Sequence, residues 1–133
     1  MILFVLLVLA VFVIQTILPG RFREPAAPGQ PGMLEENVGN RDHVRPLTVV
    51  GQRAARALAN MHEALPVFLA LALMNMIAGT AAAMALTGAL FFLIARVLYV
   101  PLYLLGVSWL RSLVWAVGWV GLILMLIPLL DRA

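Results

Sequence analysis

The chain has 133 residues, 64% of them apolar and only 11% charged. A soluble domain is nearer half apolar and a quarter charged, and a compact fold of this length has too little interior to hide the excess, so lipid is the expected solvent. The net charge of +3 comes from nine arginines against six acids; those arginines flank apolar spans instead of gathering on a soluble surface, which excludes a nucleic-acid binder and fits membrane topology.

There is no cysteine, and there are two histidines, His43 and His62. The chain therefore offers no disulfide, no thiolate ligand or nucleophile, and no histidine-rich metal cluster. Thiol chemistry, if it occurs, must come from a ligand. Arginine and alanine in place of lysine suit a GC-rich bacterial genome, and the expected location is a bacterial inner membrane.

Residues 1–18 are apolar apart from Gln15 and Thr16. A secretory signal would open on basic residues, so this span reads as a retained helix that Pro19-Gly20 ends. The segment 19–47 differs in kind. After Pro19-Gly20 it carries Pro25, Pro28, Pro31 and Pro46, with Gly29, Gly32 and Gly39 and most of the charge. That density opposes a regular helix and predicts an ordered or semi-ordered loop outside the hydrocarbon. The Asn40-Arg41-Asp42-His43 run is a candidate clip within it, the plain alternative being a solvated turn.

Thr48 suits a helix N-cap, and a helical pattern follows over 48–78 with a kink expected at Pro66. Such a helix is about 45 Å long against a hydrocarbon core of about 30 Å, so its first turns should stand in the headgroups. A turn of small residues, Gly79 to Ala83, leads to a third span over 82–105. Gly106 to Ser112 reads as the next turn and 113–130 as the fourth span. The result is an all-α membrane protein, an up-and-down bundle of four transmembrane helices. Arginines 21, 23, 41, 45, 53 and 56 crowd the first connection and the start of the second helix, and Arg111 lies in the third connection. The second connection has no charge. The positive-inside rule puts the first and third connections in the cytoplasm and both termini outside.

Two polar stripes cross the apolar pattern. At about 100° per residue, Arg53, Arg56, Asn60 and Glu63 share an arc of about 80° on the second helix, bordered by Gln52, with His62 on the opposite side. Arg96, Tyr99 and Tyr103 form a second stripe on the third helix. Glu63 and Arg96 lie about 22 Å and 21 Å from the outer ends of two antiparallel neighbours, which places them at one depth. A charge inside the membrane costs about 2.5–3.5 kcal/mol on insertion scales, so the two are expected to pair or to face a wet cavity. A salt bridge that only ties two helices together is one reading. A ligand site is the other: guanidinium groups suit carboxylates and Glu63 suits an ammonium, which describes a small zwitterion with more than one carboxylate. The tyrosines also have an aromatic-belt reading, as does Trp109; Trp115 and Trp119 read as packing or lipid-facing residues.

The run Arg56-Ala57-Leu58-Ala59-Asn60-Met61-His62-Glu63-Ala64-Leu65-Pro66-Val67-Phe68 resembles the second-helix signature of the MAPEG family (membrane-associated proteins in eicosanoid and glutathione metabolism), Arg-Ala-x-x-Asn-x-x-Glu-x-x-Pro-x-Phe. Ala95-Arg96-Val97-Leu98-Tyr99, with Tyr103 four residues on, resembles the third-helix signature. The resemblance covers most of the chain and is of a bacterial type. It departs from eukaryotic transferases at Ala64, where they often carry tyrosine, and in the long Pro/Gly loop. It implies a homotrimer of four-helix subunits with glutathione bound between subunits near the cytoplasmic side. Arg56, Asn60, Glu63, Arg96, Tyr99 and Tyr103 match glutathione-contacting positions, and Arg53 extends that stripe. Arg111 is the candidate for the arginine that activates the thiol. The implied activity is a glutathione transferase or peroxidase acting on lipophilic electrophiles, with glutathione as co-substrate and no metal. The alternative is a non-catalytic membrane scaffold or partner subunit whose polar stripe only stabilises helix packing.

Overall fold

The structure, a computed structural model, describes residues 1–29, 32–40, 44–80 and 83–132. Four long helices dominate: α1 (Ile2–Arg21), α3 (Val49–Ile77), α4 (Ala83–Leu105) and α5 (Ser108–Leu130), with a short α2 (Met33–Val38) between the first two. All four long helices are long and apolar enough to cross a membrane. Helices α3 and α4 form the centre. Helix α5 packs along α4, α1 lies against α3 with a smaller contact to α4, and α1 and α5 do not meet. Their shared core is built from Val8, Met61, Phe68, Phe92 and Met125, with the Phe68 and Phe92 rings stacked at 4.6 Å between α3 and α4.

Two helix ends differ from the sequence expectation. Helix α1 runs through Pro19-Gly20 to Arg21. Proline in the last turn forfeits only the bond to the Gln15 carbonyl, and the final turn closes regardless, with Phe22 N–H donating to the Pro19 carbonyl. The fourth span begins at Ser108, not near Leu113. Gly106 takes a positive φ of 78°, which L-residues avoid, and so the chain reverses within Gly106 and Val107. Ser108 to Ser112 are then helical, and Ser112 Oγ bonds back to the Ser108 carbonyl at 3.1 Å. Polar residues that looked like a turn are the first turn of α5, which puts Arg111 on a helix.

Thr48 caps α3, its side chain accepting from Gly51 N–H. At 29 residues, α3 is about 43 Å long and runs through Pro66 in one piece. The loop that precedes it is clasped. Arg23 and Leu47 form an isolated antiparallel bridge, and both the N–H and Oγ1 of Thr48 donate to the Phe22 carbonyl at 2.9 Å. Arg45 holds Glu36 with two hydrogen bonds, Nε to Oε1 at 2.6 Å and Nη2 to Oε2 at 3.0 Å, and gives Nη1 to the Glu24 carbonyl. Arg45–Glu36 is thus a clip within this loop; residues 41–43 of the Asn40-Arg41-Asp42-His43 run lie outside the described residues.

Helices α4 and α5 approach most closely at Gly88 and Gly121. A Cβ on Gly121 would lie 2.6 Å from the Gly88 carbonyl oxygen and 2.8 Å from Phe92 N, and one on Gly88 would lie 2.5 Å from the Gly121 carbonyl oxygen. Backbone cannot yield as a side chain would, so Gly121→Ala is expected to cost about 1–3 kcal/mol. Gly20→Ala, where a Cβ meets nothing within 4 Å, should be near neutral. Thermal melting of both variants in detergent checks this, and equal melting temperatures would refute the close approach.

The clasp has a pH signature. The Arg45 guanidinium holds the Glu36 carboxyl below its ordinary value of 4.5. A depressed carboxyl contributes stability above its unfolded pKa and loses it as pH falls through the lowered folded value. Hydrogen exchange over residues 34–40 should therefore stay protected from pH 8 to 5 and open only below about pH 4.5. Glu36→Gln should open the loop at every pH; a loop equally protected in that variant would remove the clip.

Candidate functional site

The buried face of α3 is made of Ala54, Ala57, Met61, Ala64, Phe68 and Ala72. Measured round the helix from the centre of that face, Arg53 and Asn60 lie about 65–85° away, whereas Arg56 and Glu63 lie about 125–145° away. The polar stripe therefore faces out of the helix bundle, and only its inner edge reaches α4. Asn60 is half-buried, and Arg56 and Glu63 are exposed.

That rotation explains why Glu63 and Arg96 do not pair. Arg96, 2% exposed, gives Nη1 to the Asn60 carbonyl Oδ1 at 2.6 Å. Among the described residues its Nε and Nη2 have no hydrogen-bond partner. The guanidinium lies instead over Phe92, at 4.8 Å, and near the Tyr99 ring, at 5.7 Å; cations are held over aromatic faces by the ring quadrupole. Gly118 of α5 borders it: a Cβ there would lie 3.5 Å from Nη2, an ordinary van der Waals contact. Glu63 has no ion pair within the described residues: the one ion pair found is Arg45–Glu36.

From Arg96 the aromatic groups lead toward the α4–α5 turn. Tyr99 is buried, and its ring meets Tyr103 edge-on at 5.4 Å. Two arginines flank Tyr103: Arg111 at 4.6 Å from the ring centroid and Arg56 at 6.0 Å. Arg53, grouped with the stripe by the sequence, is engaged differently. Its Nη1 donates to the Leu104 carbonyl at 3.1 Å, and its guanidinium lies where a Cβ on Gly106 would stand. A cation on the last carbonyls of a helix complements the helix dipole, so Arg53 caps α4 and sets the turn that starts α5.

Beside Tyr103 and Arg111 opens a cavity of about 410 Å³ between α4 and α5, lined by Tyr99, Tyr103, Arg111, Ser112, Trp115 and Ala116. Ser112 and Trp115 are the site residues that sequence reasoning missed. Once α5 is known to start at Ser108, Trp115 follows, because it lies one turn on from Arg111; no spacing rule points to Ser112. A larger groove, about 560 Å³, runs between α1 and α3 on the other side of the subunit, with Arg21, Arg23, Thr16 and His62 along it. His62 points that way, its ring edge-on to Phe12 at 5.2 Å, and belongs to neither stripe.

The site thus joins α3, α4 and α5 at the loop end of the bundle: two arginines converge on a tyrosine, a second tyrosine lies behind it, and an unpaired carboxylate stands on the adjoining face of α3. Guanidinium groups suit carboxylates and thiolates, and Glu63 suits a cationic amine. No curated protein and no solved structure matches the chain. The model of the MAPEG family, however, matches residues 1–130. With nearly its whole length covered and four membrane-length helices in place, the chain belongs to the MAPEG family, four-helix membrane proteins of glutathione and eicosanoid metabolism.

Proposed function

We propose that this protein binds glutathione at the α3–α4–α5 site and uses it as a transferase or peroxidase on lipophilic electrophiles, as a homotrimer whose subunits share the site. The observation that carries this reading is the outward placement of Arg56 and Glu63, charged and exposed within a membrane-length helix, beside a cavity that holds Arg111 and two tyrosines. Charges at such a depth need a partner. Glutathione brings two carboxylates and an ammonium, and a second subunit would close the open face. Residues 1–133 act as one domain. By the distribution of arginine, the loop end lies in the cytoplasm of a bacterial inner membrane and both termini lie outside.

In this reading Arg56 takes a carboxylate of glutathione, Glu63 takes its ammonium, Arg111 faces its sulfur, and Asn60 with Arg96 keeps α3 and α4 in register. A cation near a thiol lowers its pKa, so Arg111 favours the thiolate and the released proton passes to water. The thiolate sulfur then attacks an electrophilic carbon that arrives through the bilayer. A C–S bond forms, and the leaving group departs with the bonding pair. The alternative, a scaffold whose stripe only packs helices, has one observation in its favour: Arg53 and Asn60 are both engaged in bonds within the subunit.

Calorimetric titration of the detergent-purified protein separates the two. Binding should appear at millimolar glutathione with a rise in melting temperature; no heat and no stabilisation would leave the scaffold. Arg111→Ala should retain binding while turnover of a model electrophile falls about a hundredfold, and unchanged turnover would remove Arg111 from the chemistry.

A further inference from the structure

The cavity beside Arg111 ends on an aromatic wall. Trp115 lines it together with Tyr99 and Tyr103. One turn further along α5, Trp119 meets Trp115 edge-on, with centroids 5.9 Å apart and planes at 64°. Arg111, Trp115 and Trp119 follow at intervals of four and share one side of α5, so the wall begins about 6 Å from Arg111 along the helix and reaches about 12 Å. Both indoles are partly open, at 41% and 42% exposure.

A tryptophan in a membrane belt keeps its ring at the headgroups. Trp109, at the start of α5 and 77% exposed, fits that role. Trp115 and Trp119 stand two and three turns further into the span. Among the described residues neither indole N–H has a hydrogen-bond acceptor, and an unsatisfied donor in an apolar setting is costly. A wall meant only for lipid would be better made of leucine, as most of α5 is. The indoles combine a large flat face with a donor at its edge, and this pair continues directly from the cationic end of the site.

We propose that Trp115 is the specificity-determining residue of the electrophile subsite, selecting flat, conjugated electrophiles that carry a hydrogen-bond acceptor over flexible aliphatic ones of similar lipophilicity. Trp119 extends the same wall toward the membrane centre. The proposal rests on the glutathione reading: sulfur lies at Arg111, and the group bonded to it lies along the indoles. Tyr99, Tyr103 and Ala116 line the same cavity.

Binding of glutathione conjugates tests this without any turnover. S-(4-nitrobenzyl)glutathione offers a flat ring with an acceptor, and S-hexylglutathione offers an aliphatic chain. The wild-type protein should bind the nitrobenzyl conjugate about fivefold to tenfold more tightly, the size expected of an aromatic contact. Trp115→Ala should erase that preference, weakening S-(4-nitrobenzyl)glutathione more than S-hexylglutathione. Trp115→Phe keeps a flat face and loses the donor, so it should retain part of the preference; it also serves should the alanine variant fail to fold. Equal affinities in the wild type, or a preference that survives both substitutions, would overturn the role of Trp115 while leaving glutathione binding intact. If neither conjugate nor glutathione itself binds, the glutathione reading falls and this proposal falls with it.

Discussion

A guanidinium inside a helix bundle in lipid must find its partners in protein, and Arg96 is where this protein meets that demand. Its one hydrogen bond goes to Asn60 of α3. Its face lies over Phe92 and near Tyr99 of α4, and Gly118 of α5 borders it. The bond ties α3 to α4, and α5 passes beside the same side chain. The consequence reaches the site, because the Tyr99 ring that borders Arg96 also meets Tyr103, and Tyr103 is the ring on which Arg56 and Arg111 converge. Removing Asn60 would deprive a buried cation of its only hydrogen bond among the described residues, which costs more than the bond itself contributes.

Polar bonds recur at each end of the bundle. Asn75, fully buried, donates Nδ2 to the carbonyls of Leu71 and Met125 and accepts from Thr80 Oγ1 at 3.0 Å. This ties the far end of α3 to α5, and Arg132 adds a bond to the Ala78 carbonyl. At the loop end the Arg45–Glu36 clip and the Thr48–Phe22 bonds do the same for α1 and α3. Lipid gives no hydrophobic reason for helices to associate, so close packing of small residues and interhelical bonds must suffice. The alanine face of α3 and the Gly88–Gly121 contact supply the packing, and the asparagines supply the register.

Much of this could be read in the residues. Predominantly apolar stretches fix the four spans because high hydropathy over about twenty residues has few other meanings, and the arginine and tyrosine stripes emerge from helical spacing alone. The failures have local causes. Ser108 to Ser112 look like a turn by composition, but Gly106 completes the reversal beforehand, and with the helix start misplaced, Trp115 could not be seen beside Arg111. Equal depth suggested a Glu63–Arg96 pair; depth ignores rotation about the helix axis, and Asn60 is turned about 60° closer to the buried face. The Arg45–Glu36 clip spans nine residues through a loop without periodicity, where no spacing rule applies.

The rotation of α3 has the widest consequence. Had the stripe pointed at α4, its charges would have been spent inside one subunit, and the polar residues would have been packing devices. Instead Asn60 and Arg53 close internal bonds while Arg56 and Glu63 remain at the surface. A charge left at the membrane centre would cost about 2.5–3.5 kcal/mol on insertion scales, less toward the headgroups where the first turns of α3 stand, and a cover over the face recovers part of that cost. A ligand with carboxylates and an ammonium covers it by complementary charge, and a second subunit covers it by excluding lipid. Under the proposed function these covers act together. Affinity for glutathione and association of subunits are then linked, each raising the other by the same factor.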